Sequence, residues 1–260
     1  MQHAYRSALV TGASSGIGTA FARALARRGT DLVLVARNTD RLEELADDLR
    51  ATAKVGVEVV AADLADRERL AALEERLADP ARQVELLVNN AGLGTQGRFA
   101  ELPLDGEQAQ LDVNVTALVR LTRAALPGMI DRRHGGVLNV SSMAGENAAP
   151  GTATYAATKA FVTRFTEGVH AEVAGQNVHV TAVLPGLTRT DFHRRAGMRR
   201  DGLPGFVWTT PEEVATAGLD AVAAGRAICV PGLANKASLP LNRLLPRALV
   251  RSAMGRILGD

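Results

Sequence analysis

The chain has 260 residues, a length that suits one large domain or two small ones. Hydrophobic residues make up 47% and charged residues 22%, as in an ordinary water-soluble globular protein with a sizeable core. Aromatic residues make up only 3%, which argues against a stacking platform for single-stranded nucleic acid, and a formal net charge of +2 does not by itself favour a nucleic-acid partner.

The sequence contains neither a disulfide framework nor a metal-binding pattern. Its lone cysteine, Cys229, cannot form a disulfide within the chain, and no cluster of cysteine and histidine predicts a metal site. Residues 1–12 lead directly into a strand, and no apolar run of about 18 residues is present to span a membrane. We therefore expect a cytoplasmic protein with no metal.

A glycine-rich turn follows the first predicted strand, Ser7 to Val10, and precedes a helix predicted from about Gly16 to Arg28. Glycines in such a turn let the backbone approach a pyrophosphate, and the helix N-terminus offers N–H groups and a favourable dipole. The spacing from Gly12 to Gly18 is G-x-x-x-G-x-G rather than the more common G-x-G-x-x-G. The strand before the turn and the helix after it favour nucleotide binding over a turn with no ligand.

The residue after the second predicted strand, Asp31 to Ala36, indicates the type of dinucleotide. Many NAD-binding folds carry an acidic residue here for the ribose 2′-hydroxyl, whereas this chain has Arg37. A guanidinium can pair with a 2′-phosphate in a forked geometry, so we expect NADP(H) rather than NAD(H). The alternative is a solvated arginine at the end of a strand.

Asp63 follows the third predicted strand, Val55 to Ala61, at the edge of the sheet where ligands bind in open α/β folds. Its carboxylate could accept a hydrogen bond from an adenine amino group, or it could cap the helix predicted from Arg67 to Leu77. Both interpretations are open. An amphipathic helix is predicted before this strand, from Asn38 to Ala51, with its cap at Asn38 or the next residue.

The fourth predicted strand, Val84 to Val88, leads into the turn Asn89 to Gly92, whose asparagine side chains are suited to holding neighbouring strands together. A long helix is predicted next, from about Asp105 to Met129, with Asn114 in its interior. Because asparagine is a poor helix former, Asn114 indicates a local break or a polar group that faces a cavity, with an exposed asparagine as the alternative.

Ser142, Tyr155 and Lys159 follow the fifth predicted strand, Gly136 to Val140. Tyr155 and Lys159 are four residues apart in a helix predicted from about Thr154 to Ala174, so they share one face. We expect the ammonium to lower the pKa of Tyr155 toward the working pH, which makes this phenol a candidate general acid and base. The Ser142 hydroxyl could hydrogen-bond the same substrate oxygen. The alternative is a half-exposed pair on the helix surface.

The sixth predicted strand, Val178 to Leu184, ends at Pro185 and Gly186, and Thr188 beyond them could bind a cofactor carboxamide. Residues 188–210 have no clear period and are a candidate lid over the site. Basic residues in this segment could attract an acidic or phosphorylated substrate, although a solvated charge run is favoured. Apolar residues could instead line a hydrophobic pocket. The basic residues are His193, Arg194, Arg195, Arg199 and Arg200, and the apolar ones are Leu187, Phe192, Phe206 and Trp208.

A helix from Pro211 to Ala224 and a short strand from Ala227 to Val230 are predicted before a C-terminal extension of residues 233–260. Arginines recur in this extension at four-residue spacing among leucines. They could form a basic amphipathic helix on a membrane surface, but a packing or oligomer-contact helix is favoured. No internal repeat or linker divides the chain, so we expect a single domain over residues 1–260.

The alternation of strands and helices implies an α/β fold with a mostly parallel sheet and helices on both faces. With its ordered motifs, the chain closely resembles the short-chain dehydrogenase/reductase family over about residues 6–232, and its Arg37 is similar to an NADP-preferring subgroup. The resemblance implies a Rossmann-type doubly wound fold with seven strands in three layers. The matching motifs are Thr11 to Gly18, Asn89 to Gly92, Asn114, Ser142, Tyr155-x-x-x-Lys159 and Pro185-Gly186.

The resemblance also implies a catalytic tetrad of Asn114, Ser142, Tyr155 and Lys159. In this family Tyr155 would exchange a proton with the substrate oxygen, Ser142 would orient the carbonyl and stabilise the oxyanion, and Asn114 would hold a water. Lys159 would lower the pKa of Tyr155 and bind the nicotinamide ribose. The implied cofactor positions are Gly12, Ser14, Ser15, Gly16, Ile17, Gly18, Arg37, Asp63, Leu64, Asn90, Ala91, Gly92, Tyr155, Lys159, Pro185, Gly186 and Thr188.

Ser15 is a departure, because many NADP-preferring members carry a basic residue at that position of the glycine turn, so the expectation of NADP(H) depends on Arg37. The leading hypothesis is an NADP(H)-dependent oxidoreductase acting on a moderately bulky, hydrophobic ketone or secondary alcohol. A regulatory protein that binds the dinucleotide without turnover is the second hypothesis, because a fold alone does not set function. The resemblance implies a homodimer or homotetramer, and we expect no nucleic-acid partner.

Overall fold

The computed structural model describes residues 5–147, 150–197, 205–232 and 235–236, apart from the side chain of Phe206. Its strands are β1 (Ser7–Thr11), β2 (Asp31–Ala36), β3 (Val57–Ala61), β4 (Leu86–Asn89), β5 (Gly135–Val140), β6 (Val178–Val183), β7 (Leu187–Thr188), β8 (Trp208–Thr209) and β9 (Ile228–Cys229). Seven of them form one parallel sheet in the order β3-β2-β1-β4-β5-β6-β9, while β7 pairs with β8 in a separate parallel ribbon.

The strand order reverses once, between β1 and β4. The chain builds outward from β1 to β3, returns to the middle at β4, and then builds in the other direction to β9. In open α/β sheets, ligands bind beyond the carboxyl ends of the strands at such a reversal. The predicted doubly wound, seven-stranded Rossmann-type sheet is confirmed.

The sheet lies between two layers of helices. In β1, Ala8 and Val10 pack against helices on one face of the sheet, and Leu9 packs against helices on the opposite face. This alternation follows from the two-residue period of a strand and gives the predicted three layers. The helices are α1 (Gly16–Ala26), α2 (Thr39–Ala53), α3 (Arg67–Ala78), α4 (Leu104–Leu111), α5 (Leu118–Asp131), α6 (Ala153–Glu172), α7 (Phe192–Arg195) and α8 (Pro211–Ala223).

Side-chain caps fix where α2 and α3 begin. The Asn38 side chain accepts a hydrogen bond from the backbone N–H of Arg41, which confirms the predicted cap of α2. For α3, Asp66 accepts two backbone N–H groups of the first turn. The interpretation of Asp63 as the cap of this helix is therefore wrong, since the helix begins after a carboxylate three residues further on.

The predicted long helix around Asn114 is three consecutive segments. A π-helical turn, Asp112–Ala117, separates α4 from α5, and Asn114 lies in this turn with its side chain buried. A π-turn holds one more residue than an α-turn and often occurs at functional sites. The predicted local break is confirmed, and the alternative of an exposed asparagine is wrong.

Within the described residues, no helix combines the length and the apolar character needed to cross a membrane. The basic amphipathic pattern of the C-terminal extension lies outside the described residues, apart from Asn235 and Lys236 at its start. The same holds for Arg199 and Arg200 of the candidate lid.

Candidate active site

A cavity of about 1010 Å³ opens at the carboxyl ends of the strands, at the reversal between β1 and β4. Two predicted site residues are not in its wall, Gly18 and Asn114, and both are buried behind it. The predicted residues that line it are Gly12, Ser14, Ser15, Gly16, Ile17, Arg37, Asp63, Leu64, Asn90, Ala91, Gly92, Ser142, Tyr155, Lys159, Pro185, Gly186 and Thr188.

The glycine turn after β1 has a backbone shape that favours glycine. Gly12 and Gly16 have φ angles of 65° and 56°, in the left-handed region that other residues rarely adopt. At Gly18, a Cβ atom would lie 2.1 Å from the carbonyl oxygen of Gly12. Gly18 thus serves the packing of α1 on the turn, whereas Gly12 and Gly16 shape the wall of the cavity.

Asn90 ties the turn after β4 to the turn after β1. Its Nδ2 donates to the carbonyl oxygens of Thr11 at 2.9 Å and Gly12 at 3.3 Å. In return, the Thr11 hydroxyl accepts the backbone N–H groups of Asn90 and Ala91, each at 3.0 Å. The predicted role of the asparagine turn in holding neighbouring strands together is confirmed for this residue.

Arg37 extends from the end of β2 into the cavity wall beside Asp63. The two side chains are largely exposed, and Arg37 Nη1 lies 3.7 Å from Asp63 Oδ2, so the ion pair contributes little to stability. Asp63 Oδ1 also accepts the backbone N–H of Ala65 at 3.0 Å. The Arg37 guanidinium therefore keeps donors for an anion such as a 2′-phosphate.

The Tyr155 and Lys159 side chains share one face of α6 and are 9% and 4% exposed, so the alternative of a half-exposed surface pair is wrong. Lys159 Nζ lies 5.8 Å from the centre of the Tyr155 ring and donates to the carbonyl oxygen of Val140, the last residue of β5, at 2.9 Å. The Ser142 hydroxyl accepts the backbone N–H of Ala144 at 3.1 Å and lies close enough to the Tyr155 hydroxyl to lower the pKa of that phenol. A phenol, a hydroxyl and an ammonium therefore meet at the cavity wall.

Asn114 supports this group from beneath. Its side chain accepts the N–H of Leu93 at 2.8 Å and donates to the carbonyl oxygen of Leu93 at 2.9 Å. It also donates to the hydroxyl of Thr158 at 3.0 Å, and Thr158 in turn donates to the carbonyl oxygen of Tyr155. The π-turn thus connects the loop after β4 to the turn of α6 that carries Tyr155.

The pKa of Tyr155 does not shift in the predicted direction. Burial raises it to about 12, and the hydrogen bond with Ser142 only partly opposes this. Burial also lowers the pKa of Lys159 to about 8. The expected net lowering of the Tyr155 pKa is wrong for this structure, because desolvation of the buried phenol is the dominant effect. The Lys159 ammonium directs its hydrogen bond to Val140 instead.

Glu107 of α4 belongs to the site's support although its sequence context did not single it out. This carboxylate is buried and accepts hydrogen bonds from Thr95, Gln110 and Thr154, the residue before Tyr155. It thereby joins α4 and the loop after β4 to the first turn of α6. From the sequence alone, a buried glutamate in a polar helix cannot be told apart from a solvent-exposed one.

The described part of the lid lies over the cavity. β7 pairs with β8, and α7 follows shortly after β7 in the chain. The ring centre of Phe192 in α7 is 5.5 Å from that of Tyr155. Thr188 is buried in the ribbon, where its hydroxyl contacts that of Thr209. Arg194 pairs with Asp191 on the outer surface, as a solvated charge would.

The buried ammonium predicts a pH dependence of stability. Between the folded pKa of about 8 and the ordinary value of 10.5, the unfolded chain binds more protons at Lys159 than the folded protein does. The free energy of unfolding therefore rises with pH in this window. Between about pH 7.5 and about pH 9.5 the expected gain is roughly 2 kcal/mol for the wild type relative to Lys159→Met.

Urea unfolding of the wild type and Lys159→Met at both pH values measures this gain. The lost hydrogen bond to Val140 is common to the two pH values, so it cancels from the comparison. A difference between the two proteins that does not change with pH would show that Lys159 has an ordinary pKa.

Comparison with known proteins agrees with this geometry. The sequence profile described as short chain dehydrogenase matches residues 6–200. The chain is 38% identical to sulfoacetaldehyde reductase 2 of Chromohalobacter salexigens over 186 residues, which cover 71% of this chain and 73% of that protein.

Two solved structures are similar over most of the chain. A short-chain dehydrogenase of Sphingobium yanoikuyae in complex with NADPH has a TM-score of 0.82 at 37% identity, covering 92% of this chain and 96% of that one. The bulky-bulky ketone specific alcohol dehydrogenase of Comamonas testosteroni has a TM-score of 0.78 at 32% identity, covering 94% of this chain and 96% of that one. The chain belongs to the short-chain dehydrogenase family.

Proposed function

We propose that this chain is an NADP(H)-dependent oxidoreductase that transfers a hydride between nicotinamide and a ketone or secondary alcohol. The observation that carries the proposal is that Tyr155 and Lys159 are buried side by side in the wall of the cavity, which Ser142 also lines. A protein that only bound a dinucleotide would have no need of this buried acid. We therefore do not favour the regulatory alternative.

The glycine turn fits a dinucleotide on structural grounds. Gly12 and Gly16 adopt left-handed backbone, and a Cβ at Gly12 would lie 2.9 Å from Asn90 Nδ2, so the turn leaves its face toward the cavity free of side chains. Ser15 precedes α1 without capping it through its side chain, so the helix N-terminus can receive a phosphate. Arg37 would hold the 2′-phosphate, and Thr188 would hold the carboxamide.

A bound nicotinamide dinucleotide supplies or accepts the hydride. Tyr155 moves the proton at the substrate oxygen, giving it during reduction and taking it during oxidation. With its pKa raised to about 12, this phenol holds its proton at neutral pH, the form that donates during reduction. Ser142 hydrogen-bonds the same oxygen as negative charge develops there. Lys159 places positive charge beside the phenol and stabilises the phenolate left by proton donation.

The role of Tyr155 predicts that Tyr155→Phe loses turnover by a factor of roughly 10² to 10⁴, the usual contribution of a positioned acid or base. Binding of NADPH should change little, because the ring and the fold are kept. Tyr5→Phe is a matched control, since Tyr5 is the other tyrosine, is also buried, and has a pKa raised to about 12, but it is not in the cavity wall.

Steady-state kinetics and a binding titration of both variants test this role. Carbonyl reduction by Tyr155→Phe at the wild-type rate would contradict the assignment of the proton transfer. Loss of activity in Tyr5→Phe as well would show that the loss reflects folding rather than catalysis.

The preference for NADP(H) depends on Arg37, and the Sphingobium relative bound to NADPH supports it. Arg37→Asp should weaken NADPH binding by about tenfold or more, because a carboxylate then faces the 2′-phosphate, while NADH binding is kept or improved. Arg27→Asp makes the same charge change at the other end of α1, outside the cavity wall. An Arg37→Asp variant that still prefers NADPH in a binding titration would refute the assignment.

We propose a moderately bulky, hydrophobic carbonyl substrate. Leu187, Phe192 and Met143 line the cavity near Tyr155, and the Comamonas relative is described as specific for bulky ketones. The Chromohalobacter relative, by its name, reduces the small acidic sulfoacetaldehyde, so the two relatives point to different substrates. A screen of carbonyl compounds in which only small polar ones react would refute the hydrophobic proposal.

We also propose that the protein acts as a homodimer or homotetramer. Among the residues that the structure describes, four large hydrophobic side chains are exposed, and three of them lie on helices α4 and α6. A second copy of the chain would cover them. They are Phe99, Leu104, Leu111 and Phe161. A sedimentation experiment that finds only monomers at micromolar concentration would contradict this proposal.

A further inference from the structure

Arg195 connects the lid to the glycine turn. Its Nη2 donates to the hydroxyl of Ser15 at 3.0 Å, although the two residues are 180 positions apart in the sequence. Arg195 is the last residue of α7, and Ser15 stands directly before α1. Both line the cavity that also contains Arg37. Arg195 of the lid therefore places a guanidinium beside Ser15, where the glycine turn has no basic residue of its own.

The contact with Ser15 is a weak one for a guanidinium. Arg194, the preceding residue, pairs with Asp191 at 2.9 Å, whereas no carboxylate of the described residues lies within 4.0 Å of the Arg195 guanidinium. An arginine side chain has five N–H donors in a fork suited to phosphate, and here one of them reaches a neutral hydroxyl. The two neighbouring arginines thus differ in what they can bind.

The surroundings of Arg195 favour an anion. The N-terminus of α1 begins at Gly16, and the Ser15 side chain does not cap it. The backbone N–H groups there and the helix dipole attract negative charge. Arg37 adds a second guanidinium to the same cavity. Because all of these groups attract anions, a phosphate beside the glycine turn would be contacted from the turn and from the lid.

We propose that Arg195 is a cofactor-binding residue that contacts a phosphate of the dinucleotide from the lid, replacing the Ser15 hydroxyl as its partner. This inference rests on the proposed function, since it needs a dinucleotide in the cavity. The phosphate is either the pyrophosphate, which NADP(H) and NAD(H) share, or the 2′-phosphate, which only NADP(H) carries.

The same helix also touches the catalytic group. Phe192, one turn before Arg195, packs on the Tyr155 ring, and Ala196 belongs to the same buried cluster. A phosphate held by Arg195 would thus fix α7 over Tyr155 and shape the substrate side of the cavity. Loss of the Arg195 contact should therefore raise the KM for the carbonyl substrate as well as weaken cofactor binding.

Calorimetric titration of the purified protein with NADP⁺ and with NAD⁺ tests the proposal. Arg195→Met should bind NADP⁺ about tenfold more weakly than the wild type, the usual loss for a hydrogen bond to a charged group. Arg195→Lys, which keeps the charge, should recover part of the affinity. Arg194→Met is the matched control, because that side chain is committed to Asp191, and it should bind as the wild type does.

The two dinucleotides distinguish the phosphates. An equal loss for NADP⁺ and NAD⁺ assigns Arg195 to the pyrophosphate, and a loss for NADP⁺ alone assigns it to the 2′-phosphate. Trp208, the single tryptophan of the chain, lies in the lid ribbon, so its fluorescence gives an independent signal. A change in Trp208 fluorescence on addition of NADP⁺ that is present in Arg194→Met and smaller in Arg195→Met supports the contact between Arg195 and the phosphate.

Wild-type affinity of Arg195→Met for both dinucleotides would overturn this inference and leave the proposed function standing. Failure of the wild type to bind either dinucleotide would overturn both. Circular dichroism of Arg195→Met confirms that any loss of affinity belongs to a folded protein, which is expected because the Arg195 side chain is exposed.

Discussion

The buried ammonium of Lys159 fixes α6, the helix that carries Tyr155, to the sheet. Its hydrogen bond to the carbonyl oxygen of Val140 joins α6 to the end of β5, and the Ser141 hydroxyl donates to the carbonyl oxygen of Lys159 in return, at 2.7 Å. At Gly145, a Cβ atom would lie 2.6 Å from the backbone nitrogen of Ala160, so the loop before the helix lies directly against it. The positions of Tyr155 and of the cavity wall follow from this contact.

This arrangement has an electrostatic cost. Burial disfavours both the protonated Lys159 and the ionised Tyr155, as the lowered pKa of the first and the raised pKa of the second show. A lysine with a pKa near 8 still carries its charge for most of the time at neutral pH. Such opposed shifts in neighbouring groups are typical of sites that move protons.

Hydrogen bonds around Tyr155 and Lys159 limit the freedom of the helix that carries them. Asn114 ties the π-turn to α6 through Thr158, and Glu107 ties α4 to the residue before Tyr155. On the other side, α7 places Phe192 on the Tyr155 ring and Arg195 on the glycine turn. The lid therefore contacts both Tyr155 and the glycine turn, which connects the two halves of the cavity.

The sequence predicted the parts of the fold that are set by local pattern. Alternating strands and helices define the sheet, glycines that require left-handed backbone mark the turn after β1, and Asn114 marks a break in its helix. Asp63 was open to two interpretations because the true cap, Asp66, is only three residues away. Its possible contact with adenine stays a prediction.

Other features depend on distance in space rather than on local pattern. Glu107 is buried where hydroxyls from two other segments and an amide of its own helix meet it, and Arg195 reaches a serine 180 residues earlier in the chain. The pKa of Tyr155 depends on how deeply α6 is covered, which the four-residue spacing from Lys159 does not reveal. Burial is a tertiary property, so the direction of this shift followed from the structure alone.

The most direct test of the proposed function is a titration of the purified wild-type protein with NADPH and NADH, followed by addition of a bulky ketone in the same cuvette. The expected result is tight binding of NADPH, weak binding of NADH, and a fall in NADPH absorbance that requires the ketone. A preference for NADH would contradict the assignment of the cofactor. Binding of neither dinucleotide would contradict the assignment of the cavity as a hydride-transfer site.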